Sequence, residues 1–327
     1  MKEYICKIIV KIDMLNRRLI RIKAFKSLFA FENSGSEHPE AAVKDLIKSC
    51  DKTQELYCFL LNIAGPLVDV AREKIESGLH KFHPTEEEAN PNLKFINNSF
   101  TALVEADPEL GRFCSKKGLK WQEHDVFLKK VFASISSSDY YAAYMNSGKS
   151  SFEEDCELWK HIFEAEFEDN DMLDQILEDM SVMWIDDVAF VLNVIIRNMD
   201  EIKRTHSVVR PDTFQKEEDR VFAERLLEES IAGYDEYSAL IADNLSNWDS
   251  DRLVATDMAL IVMGVAEAVT FPSIPVKVTI NEYVEISKYY STPNSRVFVN
   301  GMLDKLIQDK LASGEITKMG RGLEDNK

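Results

Sequence analysis

Positive charge and long apolar runs are scarce in this sequence. Its 327 residues include 39 Lys and Arg against 57 Asp and Glu, which gives a net charge of -18. Because phosphate binding depends on cationic surface, this balance argues against a general nucleic-acid binder, although it leaves room for a local basic patch. No apolar run approaches the length that spans a bilayer. The composition therefore predicts no membrane partner.

Cysteine, glycine and proline are also sparse, at 5, 12 and 9 residues. The cysteines form no CxxC pair and are odd in number, so we expect free thiols in a reducing cytoplasm. Few helix breakers among many helix-favouring residues predict an all-α fold. The cysteines are Cys6, Cys50, Cys58, Cys114 and Cys156.

Motifs for catalysis and cofactor binding are absent. There is no P-loop, GxGxxG, HExxH, GxSxG or zinc pattern, so we expect neither an enzyme nor a cofactor. His80 and His83 have a spacing that can hold a metal, but no third ligand is evident and Pro84 follows directly. The acidic stretch from Phe152 to Asp187 favours solvated faces of amphipathic helices over a carboxylate site.

Apolar periodicity predicts helices from end to end and divides the chain into four parts. Residues 1–13 form an extension that we expect to be poorly ordered, and Met14 is an alternative start. Residues 14–210 form an N-terminal helical domain with a large acidic insertion. A bundle over 211–312 and a mobile tail over 313–327 complete the chain.

Ile274 to Lys305 reads as a helical hairpin that packs tightly. Val276, Ile280 and Val284 share one helix face, Ser273 is a candidate cap, and Pro293 ends the first helix. Close helix packing is also expected at two small residues of the preceding helix, Gly264 and Ala266.

A cationic cluster marks the start of the first predicted helix, Asn16 to Phe31. Cations are unfavourable near a helix N-terminus, where the dipole is positive, so five of them without an acid suggest an external anion. A solvated cationic face is the simpler interpretation. The five are Arg17, Arg18, Arg21, Lys23 and Lys26.

Two blocks of the hairpin resemble the NusB family of bacterial transcription antitermination factors. The first is Ile274-Pro275-x-Lys277-Val278-x-Ile280-Asn281-Glu282, and the second is Phe298-Val299-Asn300-Gly301-x-Leu303-Asp304-Lys305. Ordinary core packing explains the apolar positions of both blocks, but not the polar identities. The arginines of the first helix match the family's arginine-rich helix, whereas Leu19 and Ile20 depart from it.

The resemblance implies a function and a set of contact residues. It implies binding of boxA RNA together with a ribosomal small-subunit protein, NusE, within an RNA polymerase antitermination complex that acts in rRNA operons. The family's partner surface would correspond to Phe29 and Asp257. The RNA-binding residues that it implies are Arg17, Arg18, Arg21, Lys277, Arg296 and Phe298.

Two alternatives remain open on the sequence alone. A helical protein–protein adaptor without RNA binding would use the same surface, its RNA affinity lost to the acidic bulk. An enzyme with carboxylate chemistry would place its site in the enlarged N-terminal region. Burial in the hairpin is the alternative role of Phe298.

Overall fold

A computed structural model describes residues 14–214, 216–245 and 254–326; the extension 1–13 lies outside these ranges. Within them the chain is all-α, as predicted, and contains no strand. The helices are α1 (Arg17–Ser34), α2 (Pro39–Leu61), α3 (Ala64–Leu79), α4 (Glu86–Ala89), α5 (Ser99–Ala106), α6 (Pro108–Lys117), α7 (Asp125–Ser137), α8 (Asp139–Asn146), α9 (Phe152–Glu166), α10 (Asp171–Met180), α11 (Val188–Thr205), α12 (Glu217–Ala232), α13 (Tyr234–Asp243), α14 (Ala255–Thr270), α15 (Val276–Tyr290) and α16 (Ser295–Ala312).

Local sequence explains where several helices begin and end. The side chain of Asn16 caps α1 by accepting from the Leu19 amide, and Gly35 ends the helix in the left-handed conformation. Gly233 separates α12 from α13. The ring of Tyr237 packs so close to Gly233 that a Cβ there would lie 2.5 Å from it. Helix α15 starts after Pro275, not at a Ser273 cap.

The chain forms two compact units whose boundaries differ from the predicted domains. The split unit comprises Leu15–Cys50 and Lys216–Lys327, and the inserted unit comprises Asp51–Gln215 together with Met14. This division differs from the single domain expected over 14–210, because α1 packs with the C-terminal helices α12 and α14. The chain leaves the split unit partway along α2.

Helix α14 forms the centre of the split unit. It is buried from Ala259 to Ala268 and contacts α1, α12, α13, α15 and α16. Gly264 allows the closest approach, since a Cβ at this position would lie 2.5 Å from the side chain of Leu303 on α16. This confirms the tight packing expected at Gly264, and it explains why a helix-weakening glycine occurs in the middle of α14.

A buried ion pair joins three helices of the split unit. The guanidinium of Arg21 (α1) donates to both carboxylate oxygens of Glu267 (α14) at 2.6 and 2.8 Å, and both side chains are almost fully buried. The hydroxyls of Thr279 and Tyr283 on α15 donate to the same carboxylate at 2.8 and 3.1 Å. Burial lowers the pKa of Arg21, but the Glu267 carboxylate outweighs it, so the pKa is raised and the guanidinium stays charged.

The segment after Ala312 packs against the split unit, whereas a mobile tail was expected. Ile316 is buried, and the ammonium of Lys318 donates to the carbonyls of Ala268 and Phe271 at 2.9 and 3.2 Å. The Met319 amide donates to the Pro272 carbonyl at 3.0 Å. These contacts satisfy carbonyls at the C-terminal end of α14, which no helix hydrogen bond reaches.

The inserted unit has an aromatic core. The rings of Phe59 and Trp121 stack with their centroids 4.0 Å apart. The ring of Trp184 also stacks with that of Phe59, with the centroids 5.7 Å apart. Asp155, one of the acidic residues assigned to a solvated face, is instead buried and accepts from the Tyr144 hydroxyl at 2.6 Å. Its neighbours Glu153 and Glu154 lie in the first turn of α9, where acids are favourable.

Substitution of Glu267 tests how far the buried pair holds the split unit together. Glu267→Leu leaves Arg21 as a buried charge without its carboxylate, so the free energy of unfolding should fall by about 3–5 kcal/mol. Urea titration followed by circular dichroism measures the change. The double variant Arg21→Met/Glu267→Leu removes both charges and should recover most of the loss.

A fluorescence control separates this effect from general misfolding. Trp121, Trp159 and Trp184 are buried in the inserted unit. In a Trp248→Phe background, their emission reports on that unit and should be native-like in the single variant without urea. If the double variant were no more stable than Glu267→Leu, the uncompensated charge would not be the cause of the loss.

Candidate nucleic-acid interface

The three arginines of α1 point in three directions because successive helix positions turn by about 100°. Arg17 faces α12, Arg18 faces α15, and Arg21 points into the core towards α14. All three guanidiniums therefore contact the split unit itself, and each has a carboxylate partner. These partners, which lie more than two hundred residues away in the chain, were not anticipated from the sequence.

Arg18 is exposed and forms a two-pronged ion pair with Glu282. Its Nε and Nη2 each donate to a carboxylate oxygen of Glu282 at 2.8 Å, while about half of the Arg18 side chain remains accessible to solvent. The hydrogen bonds from Arg18 lower the pKa of Glu282 most, against a smaller opposing effect of burial, with Arg21 adding to the lowering. Glu282 therefore stays ionised beside the arginine.

Arg17 is held more loosely on the opposite flank of α1. Its Nε donates to Asp219 at 3.2 Å, and its guanidinium lies 5.0 Å from the centre of the Phe222 ring. Its side chain is 41% exposed. The cation–π contact and a single hydrogen bond leave part of the guanidinium fork accessible from solvent.

Arg21 cannot serve as the surface phosphate ligand that the sequence suggested. Its side chain is only 3% exposed, and its fork is engaged by the buried Glu267. The number of cations near the start of α1 does not indicate which of their side chains point into the core. Arg21 therefore has a structural role in the core, and no RNA contact of it is tested by the structure.

Side chains of helices α1 and α15 meet at two levels. Arg18 contacts Glu282, and two turns further along, Phe25 and Lys26 lie against Tyr290, with separations of 5.7 and 5.4 Å. From the Arg18–Glu282 contact to the Lys26–Tyr290 contact, both helices advance by eight residues, so they run in the same direction along a seam about 12 Å long. We call the solvent-facing side of α1, α15 and the start of α16 the seam surface.

Arg18 and Arg296 both belong to the seam surface. The pKa of Glu285 on α15 is lowered, most by its hydrogen bond with Lys288 and further by the charges of Arg18 and Arg296. One carboxylate thus senses both arginines. Lys277 is exposed in the first turn of α15, more than two turns before Glu285. The structure therefore brings together two of the cations that the sequence singled out, Arg18 and Arg296, and the place of Lys277 in the site stays a prediction.

Phe298 is buried, which corrects its expected contact with RNA. It is 6% exposed and lies on the packed side of α16, which is the alternative role of this residue. The exposed aromatic of this region is Tyr289, at 82%. Tyr289 follows Glu282 by seven residues and therefore shares its helix face. The sequence pattern does not distinguish the buried Phe298 from the exposed Tyr289, because both occur in amphipathic helices.

The two residues expected to contact a partner protein have different environments. Phe29 is half-buried, with its ring 6.2 Å from that of Phe25, so its partner role stays a prediction. Asp257 is 1% exposed and accepts the hydroxyls of Ser291 and Ser295 at 2.6 and 2.8 Å. It holds the connection between α15 and α16 and offers no surface to a partner, which corrects that expectation.

No constellation for chemistry or metal binding accompanies these features. In the ranges that the structure describes, no three His, Cys, Asp or Glu side chains are grouped as metal ligands. His80 places its Nδ1 2.7 Å from the carbonyl of Glu76 in its own helix. In the same ranges, no helix has the length and apolar character needed to cross a membrane.

The fold and the seam surface define an all-α protein with paired cations along two parallel helices. The NusB family profile matches residues 188–308. The transcription antitermination protein NusB of Salinibacter ruber is 36% identical over 124 residues, which cover 38% of this chain and 78% of that protein. This chain belongs to the NusB family.

Two further relatives carry the same name. The transcription antitermination protein NusB of Chloroherpeton thalassium is 36% identical over 110 residues, covering 34% of this chain and 51% of that protein. That of Methylacidiphilum infernorum is 37% identical over 93 residues, covering 28% and 65%. No solved structure is significantly similar to this chain.

The residues matched by the family profile do not coincide with the split unit. It begins at the first residue of α11, in the inserted unit, and ends within α16. Helix α1 lies outside it, so the assignment of α1 to the same site depends on its contacts with α12, α14 and α15. The Arg21–Glu267 and Arg18–Glu282 pairs supply those contacts.

The buried carboxyl of Asp257 should make the stability of the protein depend on pH. Burial raises its pKa, against the two serine hydrogen bonds, which lower it. The folded protein therefore holds this proton more tightly than the unfolded chain, and Asp257 reduces stability as pH rises through its titration. Relative to wild type, Asp257→Asn should thus be more stable at pH 7 than at pH 3.5, as measured by urea unfolding at both values. A change in the opposite direction would show that the ionised carboxylate is favoured in the fold.

Proposed function

We propose that this chain is a transcription antitermination factor that binds boxA-type single-stranded RNA together with the ribosomal small-subunit protein NusE. In this function it assists an RNA polymerase antitermination complex in reading through terminators in rRNA operons. The antitermination part is supported by the NusB relatives, which are transcription antitermination proteins. The RNA part is carried by one observation, the exposed cations along the seam surface of an otherwise acidic protein.

The seam surface has the two kinds of groups that bind single-stranded RNA. Cations bind phosphates, and exposed aromatic rings stack on unpaired bases. Arg18 and Arg296 supply cations, the exposed Lys277 adds a third at the start of α15, and the exposed ring of Tyr289 lies on the helix face of Glu282, the partner of Arg18. A single strand of a few nucleotides that lies along the seam, about 12 Å long, is long enough to contact both ends of the seam.

A helical adaptor without RNA binding is the second candidate function. The observation in its favour is that Arg17, Arg18 and Arg21 are all paired with carboxylates. Compensated arginines attract phosphate less than bare ones do. In this case the half-buried Phe29 would contribute to a protein interface, and RNA would play no part.

Charge reversal at Arg18 distinguishes the two functions. In a filter-binding titration with boxA-like RNA in the presence of NusE, Arg18→Glu should weaken binding about tenfold or more, because a charge-assisted hydrogen bond is worth about 1.5–3 kcal/mol. The slope of log affinity against log salt should also become shallower by about 0.7 per lost phosphate contact. NusE binding itself, measured without RNA, should be unchanged.

Arg204→Glu is the matched control. Arg204 is also about half exposed and also pairs with a glutamate of its own unit, Glu201, but it lies in the inserted unit. It changes the net charge equally and should leave RNA affinity within twofold of wild type. If both reversals weakened binding equally, or neither did, the seam surface would not be the RNA site. NusE binding with no RNA affinity in any variant would favour the adaptor.

Substitution of Tyr289 tests base stacking on the same surface. Tyr289→Ala should reduce RNA affinity about five- to tenfold with an unchanged salt slope, since stacking is worth about 1–3 kcal/mol per base and neutralises no phosphate. Phe82→Ala removes an equally exposed aromatic from the inserted unit and should have no effect. A reduced salt slope for Tyr289→Ala would indicate that the ring acts by positioning a cation instead.

A further inference from the structure

We infer that Glu282 occupies the place of an RNA phosphate on Arg18, so that RNA binding at the seam surface exchanges one partner of Arg18 for another. This inference deepens the proposed RNA binding and rests on it. It assigns to Glu282 a role in setting affinity: the carboxylate is a built-in competitor of phosphate.

The geometry of the pair sets a carboxylate and a phosphate in competition for the same two donors of Arg18. A carboxylate and a phosphate both present two oxygens that match the parallel N–H groups of a guanidinium. Glu282 already accepts from Nε and Nη2 of Arg18, each at 2.8 Å. A phosphate that binds Arg18 through the same two donors must displace the carboxylate. RNA affinity is therefore reduced by the free energy of the Arg18–Glu282 pair.

Glu282 retains a cationic neighbour once Arg18 is lost. Its carboxylate lies 3.9 Å from Nη1 of Arg21, a guanidinium that is fixed in the core by Glu267. Because Arg21 is held in place, Glu282 can turn towards it without any rearrangement of α1. The half-buried Glu282 is then not left as an isolated charge, which keeps the exchange inexpensive.

Arg17 lacks the features of such an exchange. Among the described residues, its carboxylate contact is a single hydrogen bond from Nε to Asp219 at 3.2 Å. The remaining donors of its fork are open to a phosphate while Asp219 stays in place. Competition of this kind is therefore specific to Arg18, and it should appear only when Glu282 and Arg18 are both present.

The first test compares two neutralising substitutions on α15. Glu282→Gln should raise the affinity for boxA-like RNA with NusE by about two- to fivefold, the range expected for loss of one exposed ion pair. Glu285→Gln is the matched control, since Glu285 lies one turn away and pairs with Lys288. It changes the net charge equally and should raise affinity less than twofold. Equal gains would show that general repulsion, and not competition for Arg18, is being relieved.

A double-mutant cycle tests whether the gain depends on Arg18. In an Arg18→Ala background, Glu282→Gln should add no more than Glu285→Gln does. A full two- to fivefold gain without Arg18 would overturn the inference. Loss of affinity in the single variant Glu282→Gln would also overturn it, because this would mean that Glu282 orients Arg18 for RNA.

A second probe keeps the inference testable if the proposed RNA binding fails. The full-length protein labelled with 15N is titrated with inorganic tripolyphosphate, and the Arg18 Nε–Hε resonance is followed. In Glu282→Gln this resonance should shift at a two- to fivefold lower tripolyphosphate concentration than in wild type. Identical titrations would refute the exchange at Arg18, whatever the outcome with RNA. A shift without RNA binding would refute the proposed function alone.

Discussion

The buried pair of Arg21 and Glu267 is the constraint on which the split unit depends. Burying two charges costs several kcal/mol per ion unless their hydrogen bonds are satisfied. Here the carboxylate accepts from Arg21, Thr279 and Tyr283, so one glutamate of α14 fixes both α1 and α15. Once Arg21 is placed, Arg18 is placed too, since it lies almost one turn earlier on the same helix. The seam surface is therefore a consequence of core electrostatics.

The sequence predicted the helices better than their partners. Apolar spacing identified the all-α class, the α15–α16 hairpin and the close approach at Gly264, because these patterns are local or depend on the size of one residue. The carboxylate partners of the arginines are separated from them by 202 to 264 residues. Nothing in a run of basic residues shows which of them point inwards, so Arg21 and the buried Phe298 were both assigned to the surface.

The predicted domain boundaries differ from those of the two compact units for a related reason. Composition and turn residues indicate where the chain changes direction, but they do not indicate that a helix packs with a segment two hundred residues later. Helix α1 was therefore grouped with its sequence neighbours, although its apolar side and Arg21 are complementary to α12 and α14. The inserted unit builds its own core around Phe59, Trp121 and Trp184, so its folding does not require side chains from α1.

Pairing of the arginines also addresses how an acidic protein presents cations to RNA. With 18 more acidic than basic residues, an uncompensated arginine on this surface would attract carboxylates from its own chain or from other copies. Pairing with one defined carboxylate, such as that of Glu282, prevents unspecific pairing with others and holds the guanidinium in one orientation. The same pairing weakens long-range attraction of phosphate, so under the proposed function affinity comes from short-range contacts and from stacking at Tyr289. Such contacts form only when the strand is already positioned, which is the physical reason for the protein to bind RNA jointly with a second protein under the proposed function.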